Sequence, residues 1–377
     1  MNVVKQAEKN QPLLCWMIFT FMFFNVLNNH VNHFVPLLLA IMFCLILSIR
    51  ILLLSINKSI NINLLLCTFF LLILVFISGL RAINSAPTSH FGGLFYFSFP
   101  IFLLLLVLFP QSPYFFRSAV KSKFWMIIFL INCLAVVYGK LILLFNINHA
   151  YRLVNMTDRS SFNGILGLYG DASVASTLLI VFWLLVCYSR RFSLKDSLKS
   201  WIHVVLILCL LCVHAGTGIF VYAMILLYIL SRLRKWGILF FAMSFMVLTL
   251  IFSHDSKFSM DYAIYMLNLF WERASRYTSL GVMSQLFGGG GMIGDEGWLT
   301  ILAVNGLVYF SSMTALVFYA IIKNRSIYLK LAIFSLYVSS FHYTVMFWPV
   351  SQIIFSLIII DSFNSRADFF KNNGQLA

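Results

Sequence analysis

The chain has 377 residues, 62% of them hydrophobic and only 10% charged, with a mean hydropathy of +0.95. No water-soluble domain of this size needs so much apolar surface, so the composition predicts an all-α polytopic membrane protein whose first partner is the lipid bilayer. The net charge of +15 raises nucleic acid as a partner, but the basic residues sit between apolar runs and not on one face, which favours a bilayer and no nucleic acid.

Apolar segments fall at 13–29, 34–54, 63–80, 94–109, 124–146, 173–188, 201–213, 218–231, 237–253, 297–322, 331–346 and 348–361. They predict twelve transmembrane helices in a single integral membrane domain over 1–377. The first run lacks a small-residue cleavage site and is followed by another span, so it reads as an anchor. With the N-terminus in the cytoplasm, the inner loops receive Lys5, Lys9, Arg50, Lys58, Arg117, Lys121, Lys123, Arg190, Arg191, Lys195, Lys199, Arg232, Arg234, Lys235, Lys323, Arg325, Lys330, Arg366 and Lys371. That is 19 of the 26 basic residues, and it places both termini inside. The runs 201–213 and 218–231 lie between two basic segments, RRFSLK and RLRK, so the pair must enter and return as two short helices or a re-entrant hairpin. All seven cysteines lie in or beside apolar runs, which indicates neither a disulfide framework nor a metal site. The CxxC of Cys209 and Cys212, inside ILCLLCV, reads as helix packing.

The outer side differs chemically. It receives His30, His33, His90, His149, His214, His254 and His342, and the acids Asp158, Asp171, Asp255, Asp261, Glu272, Asp295 and Glu296. The basic residues left there, against the inside bias, are Arg81, Lys140, Arg152, Arg159, Lys257, Arg273 and Arg276. Most of these groups fall in two long loops, 147–172 and 254–296. In the first, Arg152 and Arg159 could grip a phosphate or diphosphate bidentately, or pair with Asp158 and Asp171 to hold the loop. In the second, residues 258–281 can form an interfacial helix with Glu272 and Arg276 at i, i+4. Gly288 to Gly291, with Gly289 and Gly290 at the centre, would let backbone N–H groups converge on an anion, or would simply make a turn. Asp295 and Glu296 are either a general base and its neighbour or acids favoured at the start of the next helix.

The order of these features resembles that of the Wzy-type O-antigen and exopolysaccharide polymerases and the related O-antigen ligases. HAGTGIFVYAMILLYIL (214–230) resembles their polar helix opening, RASRYTSL…FGGGG (273–291) their arginine and glycine elements, and DEGWLTILAVNGLVYF (295–310) the start of the following helix. The segment from Arg159 to Asp171 resembles the upstream stretch before a span, so the likeness covers roughly 150–322. Two departures from the pattern matter. Thr217 stands where an arginine is often found, and Asp295-Glu296 replaces the His-Asn of the ligases, which favours polymerase over ligase.

The resemblance implies a multi-span lipid-phosphate-sugar glycosyltransferase fold. It implies a polysaccharide polymerase that joins undecaprenyl-diphosphate-linked oligosaccharide units on the periplasmic face of the bacterial inner membrane, with no metal and no cofactor. Glu296, and after it Asp171, would be the base, while Arg152, Arg159, Arg273, Arg276, Gly289, Gly290 and His214 would bind substrate. A chain-length regulator and a flippase of the same pathway are the implied partners. The alternatives are an O-antigen ligase and a lipid-linked oligosaccharide flippase. The latter should carry ionisable groups near the bilayer midplane, whereas this chain keeps its charges at the membrane edges apart from Lys140 and His203.

Overall fold

The computed structural model describes residues 11–23, 61–85, 99–108, 115–116, 121–145, 165, 167–169, 171–235, 237–238, 260–290, 297–341, 345 and 348–364. Among them are thirteen α-helices and no strand. In chain order these are α1 (Gln11–Met22), α2 (Ile62–Ser85), α3 (Phe99–Leu108), α4 (Lys121–Phe145), α5 (Ala172–Ser189), α6 (Leu194–Lys199), α7 (Trp201–Val213), α8 (Gly216–Arg232), α9 (Met260–Thr278), α10 (Val282–Phe287), α11 (Gly297–Lys323), α12 (Ile327–Ser339) and α13 (Pro349–Asn364). Four are long and apolar enough to cross a membrane, over 62–82, 123–142, 172–189 and 297–323, while α3, α7, α8, α12 and α13 are shorter apolar helices. The regular structure of the described residues is therefore all helical, with no strand among them, and the chain is a membrane-embedded protein. Of the twelve expected spans, 34–54 and most of 237–253 lie outside the described residues.

Helix α5 is the axis of the bundle. Its sequence is apolar nearly all round, which suits a helix surrounded by others, and residues 173–187 are all buried. It packs against α4, α7, α8 and α12. Gly218 makes the approach of α8 possible, because a Cβ there would stand 2.2 Å from the Cβ of Ser176. Peripheral helices keep one apolar stripe exposed instead. On α2 this is Ile62, Leu66, Phe69, Ile73, Phe76 and Leu80, and on α7 it is Trp201, Val204, Leu208 and Leu211. Alternating steps of three and four residues put each set on one helix face. In water such faces would be severe liabilities, and against acyl chains they cost nothing.

Contacts between helix ends define the direction of each. Thr177 meets Ser339 at 2.9 Å where α5 begins and α12 ends, and Tyr328 donates to the Phe192 carbonyl at 3.0 Å where α12 begins just beyond the end of α5. Trp298 donates to the Tyr337 carbonyl at 3.1 Å, pairing the start of α11 with the end of α12. Antiparallel packing of this kind gathers Arg190, Arg191, Lys195, Lys199, Arg232, Arg234, Lys235, Lys323, Arg325 and Lys330 at one end of the bundle. Asp171, His214, Arg81 and the α9–α10 segment lie at the other. The alternation of basic and non-basic connections in the sequence thus becomes two chemically distinct ends.

The 201–231 region is two separate helices. α7 is about 20 Å long and α8 about 25 Å by helical rise, both short of a ~30 Å hydrocarbon core. His214 turns the chain in the left-handed region, with φ 54° and ψ 43°, and Ala215 starts the return. This end-to-end separation has a direct test. A cysteine at exposed Lys195 and one at exposed Ser275 are expected to react with an impermeant maleimide from opposite faces of the membrane. Labelling of both from one face would contradict the arrangement.

Candidate functional site

Two groups of polar residues occupy the end opposite the basic loops. The first surrounds the start of α5. Asp171 is its N-cap, with extended backbone and a carboxylate that accepts the Val174 N–H at 2.8 Å. A cap of this kind satisfies one of the unpaired amides of the first turn, and the helix dipole favours the ionised carboxylate. Just upstream, Ile165 donates its N–H to the Val213 carbonyl at 3.3 Å, and the Tyr169 hydroxyl donates to Asn132 Oδ1 at 2.7 Å. These bonds pin the last part of the first long loop to α4 and to the His214 joint.

The second group is built around an interruption in α11. Gly306 has φ 84° and ψ 166°, so the helix breaks there. In an unbroken helix the carbonyls of Ala303 and Val304 would accept from the residues four positions on. Here they accept from Gly290 at 3.1 Å and Gly289 at 2.9 Å, so the glycine run replaces the missing helical bonds. Irregular backbone at membrane depth needs such partners. Side chains would not fit at this crossing. A Cβ on Gly288 would lie 2.1 Å from the Val304 oxygen, and one on Gly289 would lie 2.6 Å from the Arg81 Cβ. Gly288 and Gly289 also hold positive φ, 76° and 91°.

From α2, Arg81 closes the same junction. Its Nε donates to the Gly288 carbonyl at 3.0 Å and its Nη2 to Ser284 Oγ at 3.1 Å. One turn earlier Ser78 Oγ lies 3.2 Å from Asn305 Oδ1. The Asn305 side chain is fully buried, and its amide nitrogen has no hydrogen-bond partner among the described residues.

Helix α9 is tied to this junction through α10. The Tyr277 hydroxyl donates to the Gln285 carbonyl at 3.0 Å, and Gln285 Nε2 donates to the carbonyls of Thr278 and Leu280 at 2.9 and 2.7 Å. Burial raises the Tyr277 phenol above its ordinary pKa, which keeps it a donor. Phe270 packs on Phe341 with ring centroids 5.1 Å apart, and Phe341 in turn meets Trp298 at 5.1 Å. That leaves Ile264, Leu267 and Trp271 exposed on the other face, as an interfacial helix requires. Arg276 Nη2 and Glu272 Oε1 form the expected i, i+4 pair at 2.6 Å, with side chains 63% and 58% exposed. A pair so open to solvent contributes about 0.3 kcal/mol, so its guanidinium can exchange partners at little cost. Arg273 is half-buried on the inward side of the same helix.

The expected site residues therefore divide. Asp171 and His214 fall in the first group, and Arg273, Arg276, Gly289 and Gly290 in or beside the second. Arg152, Arg159 and Glu296, with Asp158, Gly291 to Asp295 and His342, lie outside the described residues. One expectation is corrected. The amides of Gly288, Gly289 and Gly290 do not converge on an anion but bond to the carbonyls of Ser284, Val304 and Ala303. Arg81, Ser284, Ser78 and Asn305, which meet at this junction, are not among the residues the sequence singles out for the site, although Arg81 stands on the side that disfavours cations. His203, one of the two ionisable groups set apart from the membrane edges in the sequence, is a packing residue near the basic end. It stacks on Trp183 at 5.3 Å and has Leu198 O on one ring nitrogen and the Tyr222 hydroxyl on the other.

The fold and this polar end define a helical membrane protein with one chemically elaborated face. No protein-family model matches the chain, and neither does any curated protein or solved structure.

Proposed function

We propose that the protein is a polysaccharide polymerase of the bacterial inner membrane, acting on undecaprenyl-diphosphate-linked oligosaccharides at its periplasmic face. The observation that carries this reading is the position of α9. This helix bears Arg273 and Arg276 and has an exposed apolar face, at the end of the bundle that the inner-type basic loops avoid. Cations at that depth suit the diphosphate of a lipid whose chain lies in the membrane. In the reaction, an acceptor sugar hydroxyl attacks the anomeric carbon of the donor, and the carbon–oxygen bond to the diphosphate breaks. The diphosphate lipid leaves with the bonding electrons, and the hydroxyl proton passes to a base, for which Glu296 is the first candidate. Arginines fixed beside the leaving group stabilise its growing charge without a metal ion. A flippase that delivers the lipid-linked units and a chain-length regulator are the partners this role requires.

A second reading has one observation in its favour. The broken α11, with buried Asn305 at the break, is the kind of discontinuous helix that forms solute sites in transporters. Deleting the protein from its host separates the possibilities. Loss of a polymerase leaves single repeat units displayed at the surface, loss of a ligase leaves unattached polymer, and loss of a flippase leaves units trapped inside. Within the polymerase reading, Arg276→Ala is expected to abolish polymer at near-normal protein abundance. Arg276→Lys should rescue poorly, because a point charge cannot replace a bidentate fork. Wild-type polymer from the alanine variant would reduce Arg276 to one half of a surface ion pair.

A further inference from the structure

We infer that Arg81 is a positioning residue, a latch on α2 that holds the glycine turn in place and thereby fixes Arg273 and Arg276 for glycosyl transfer. The role in transfer rests on the polymerase reading, whereas the latch itself does not. The guanidinium spans two acceptors on different parts of the segment that joins α9 to α11, the Gly288 carbonyl at 3.0 Å and the α10 hydroxyl of Ser284 at 3.1 Å. Its own Cβ packs where a Cβ of residue 289 would have to go, 2.6 Å away, so the turn is shaped to this side chain.

From that hold the connection to α9 is short and polar. Gln285, next to Ser284, bonds the carbonyls of Thr278 and Leu280, and the Tyr277 hydroxyl bonds back to Gln285. Arg276 immediately precedes Tyr277. Each link is a directional hydrogen bond, so movement of the turn carries the end of α9 with it. A planar fork restrains a backbone carbonyl and a hydroxyl together, which a lysine ammonium on a flexible stem does less well. Arginine inside an apolar span is costly unless such bonds employ it, and Arg81 lies within the 62–82 span, one residue from its end.

The test uses the full-length protein in proteoliposomes, with the native cysteines replaced and Leu280→Cys as reporter. The Leu280 side chain packs 3.1 Å from where a Cβ of Gly290 would stand, so its accessibility reads the closure of the turn. Arg81→Ala is expected to raise maleimide labelling about tenfold, and Arg81→Lys by an intermediate factor. Ser284→Ala should raise it about threefold, with no further rise when combined with Arg81→Ala, because the two share one contact. If Arg81→Ala fails to accumulate, Ser284→Ala and Arg81→Lys carry the comparison.

Without the reporter, Arg81→Ala should lower kcat for polymer extension on lipid-linked oligosaccharide about tenfold or more while KM stays within about twofold. Unchanged labelling in every variant would overturn the latch. Raised labelling with unchanged kcat would overturn its role in positioning. A labelling response in a protein that makes no polymer even as wild type supports the latch and removes the polymerase reading.

Discussion

Gly306→Ala is expected to cost the protein on the order of 3 kcal/mol or more, a large fraction of the total stability of a marginally stable chain. Two separate effects add. The backbone at this residue, φ 84° and ψ 166°, lies in a region that only glycine occupies readily, and forcing alanine there costs about 1–3 kcal/mol. The new Cβ would also stand 2.3 Å from the Leu286 oxygen and 2.5 Å from the Gly288 nitrogen, both backbone atoms that cannot rotate away. Relief would require the glycine turn to withdraw, and the carbonyls of Ala303 and Val304 would then lose their partners inside the protein. Gly216→Ala is the matched control. A Cβ there meets nothing within 4 Å, and in the first turn of α8 alanine should be neutral or stabilising by up to about 1 kcal/mol. Thermal unfolding in detergent, followed by size-exclusion fluorescence, compares the two. A Gly306→Ala protein as stable as the wild type would mean that the break in α11 is not required.

The second large effect separates the two carboxylates proposed for the base. Asp171 caps α5 through the Val174 N–H, and asparagine caps a helix about as well as aspartate. Asp171→Asn is therefore expected to keep both the fold and the polymer, whereas Asp171→Ala loses about 1 kcal/mol of stability through the missing cap. Glu296→Gln keeps shape and hydrogen bonding but removes the proton-accepting charge, and it should lower turnover by about a hundredfold while lipid-linked donor still binds. Glycan length profiles and turnover on purified lipid-linked units report both. A folded Asp171→Asn protein that makes no polymer, beside a fully active Glu296→Gln protein, would exchange the roles of the two residues.

Apolar length and basic-loop alternation made the helical, membrane-embedded class legible without coordinates, because the bilayer constrains composition directly. The same holds for local features whose partners lie within a few residues. The Glu272–Arg276 pair follows from i, i+4 spacing, and the exposed apolar face of α9 follows from the positions of Ile264, Leu267 and Trp271. The reversal at HAGTG required an entry and a return, since both flanks are basic. The choice of two short helices with a joint at His214–Ala215 needed the backbone itself.

What the tertiary structure alone decided depends on long-range pairing. A run of glycines states only that the backbone is free; it does not state what approaches it. Gly288 to Gly290 read equally as an anion cradle or a turn, and they proved to complete the hydrogen bonding of a helix interrupted at Gly306. Asp171 reads as a possible base, and only the fold shows that its carboxylate also caps α5 through the Val174 amide. Arg81 is 207 residues from Gly288 in sequence, and no periodicity links the two. Sequence by itself determined which segments partition into lipid and which end of each carries charge, because those are properties of a helix and its solvent. Only the fold determined which of the remaining amides, carbonyls and guanidinium groups meet, because inside a membrane a group that its own helix leaves unpaired must find a partner on another element, and that choice is made by packing.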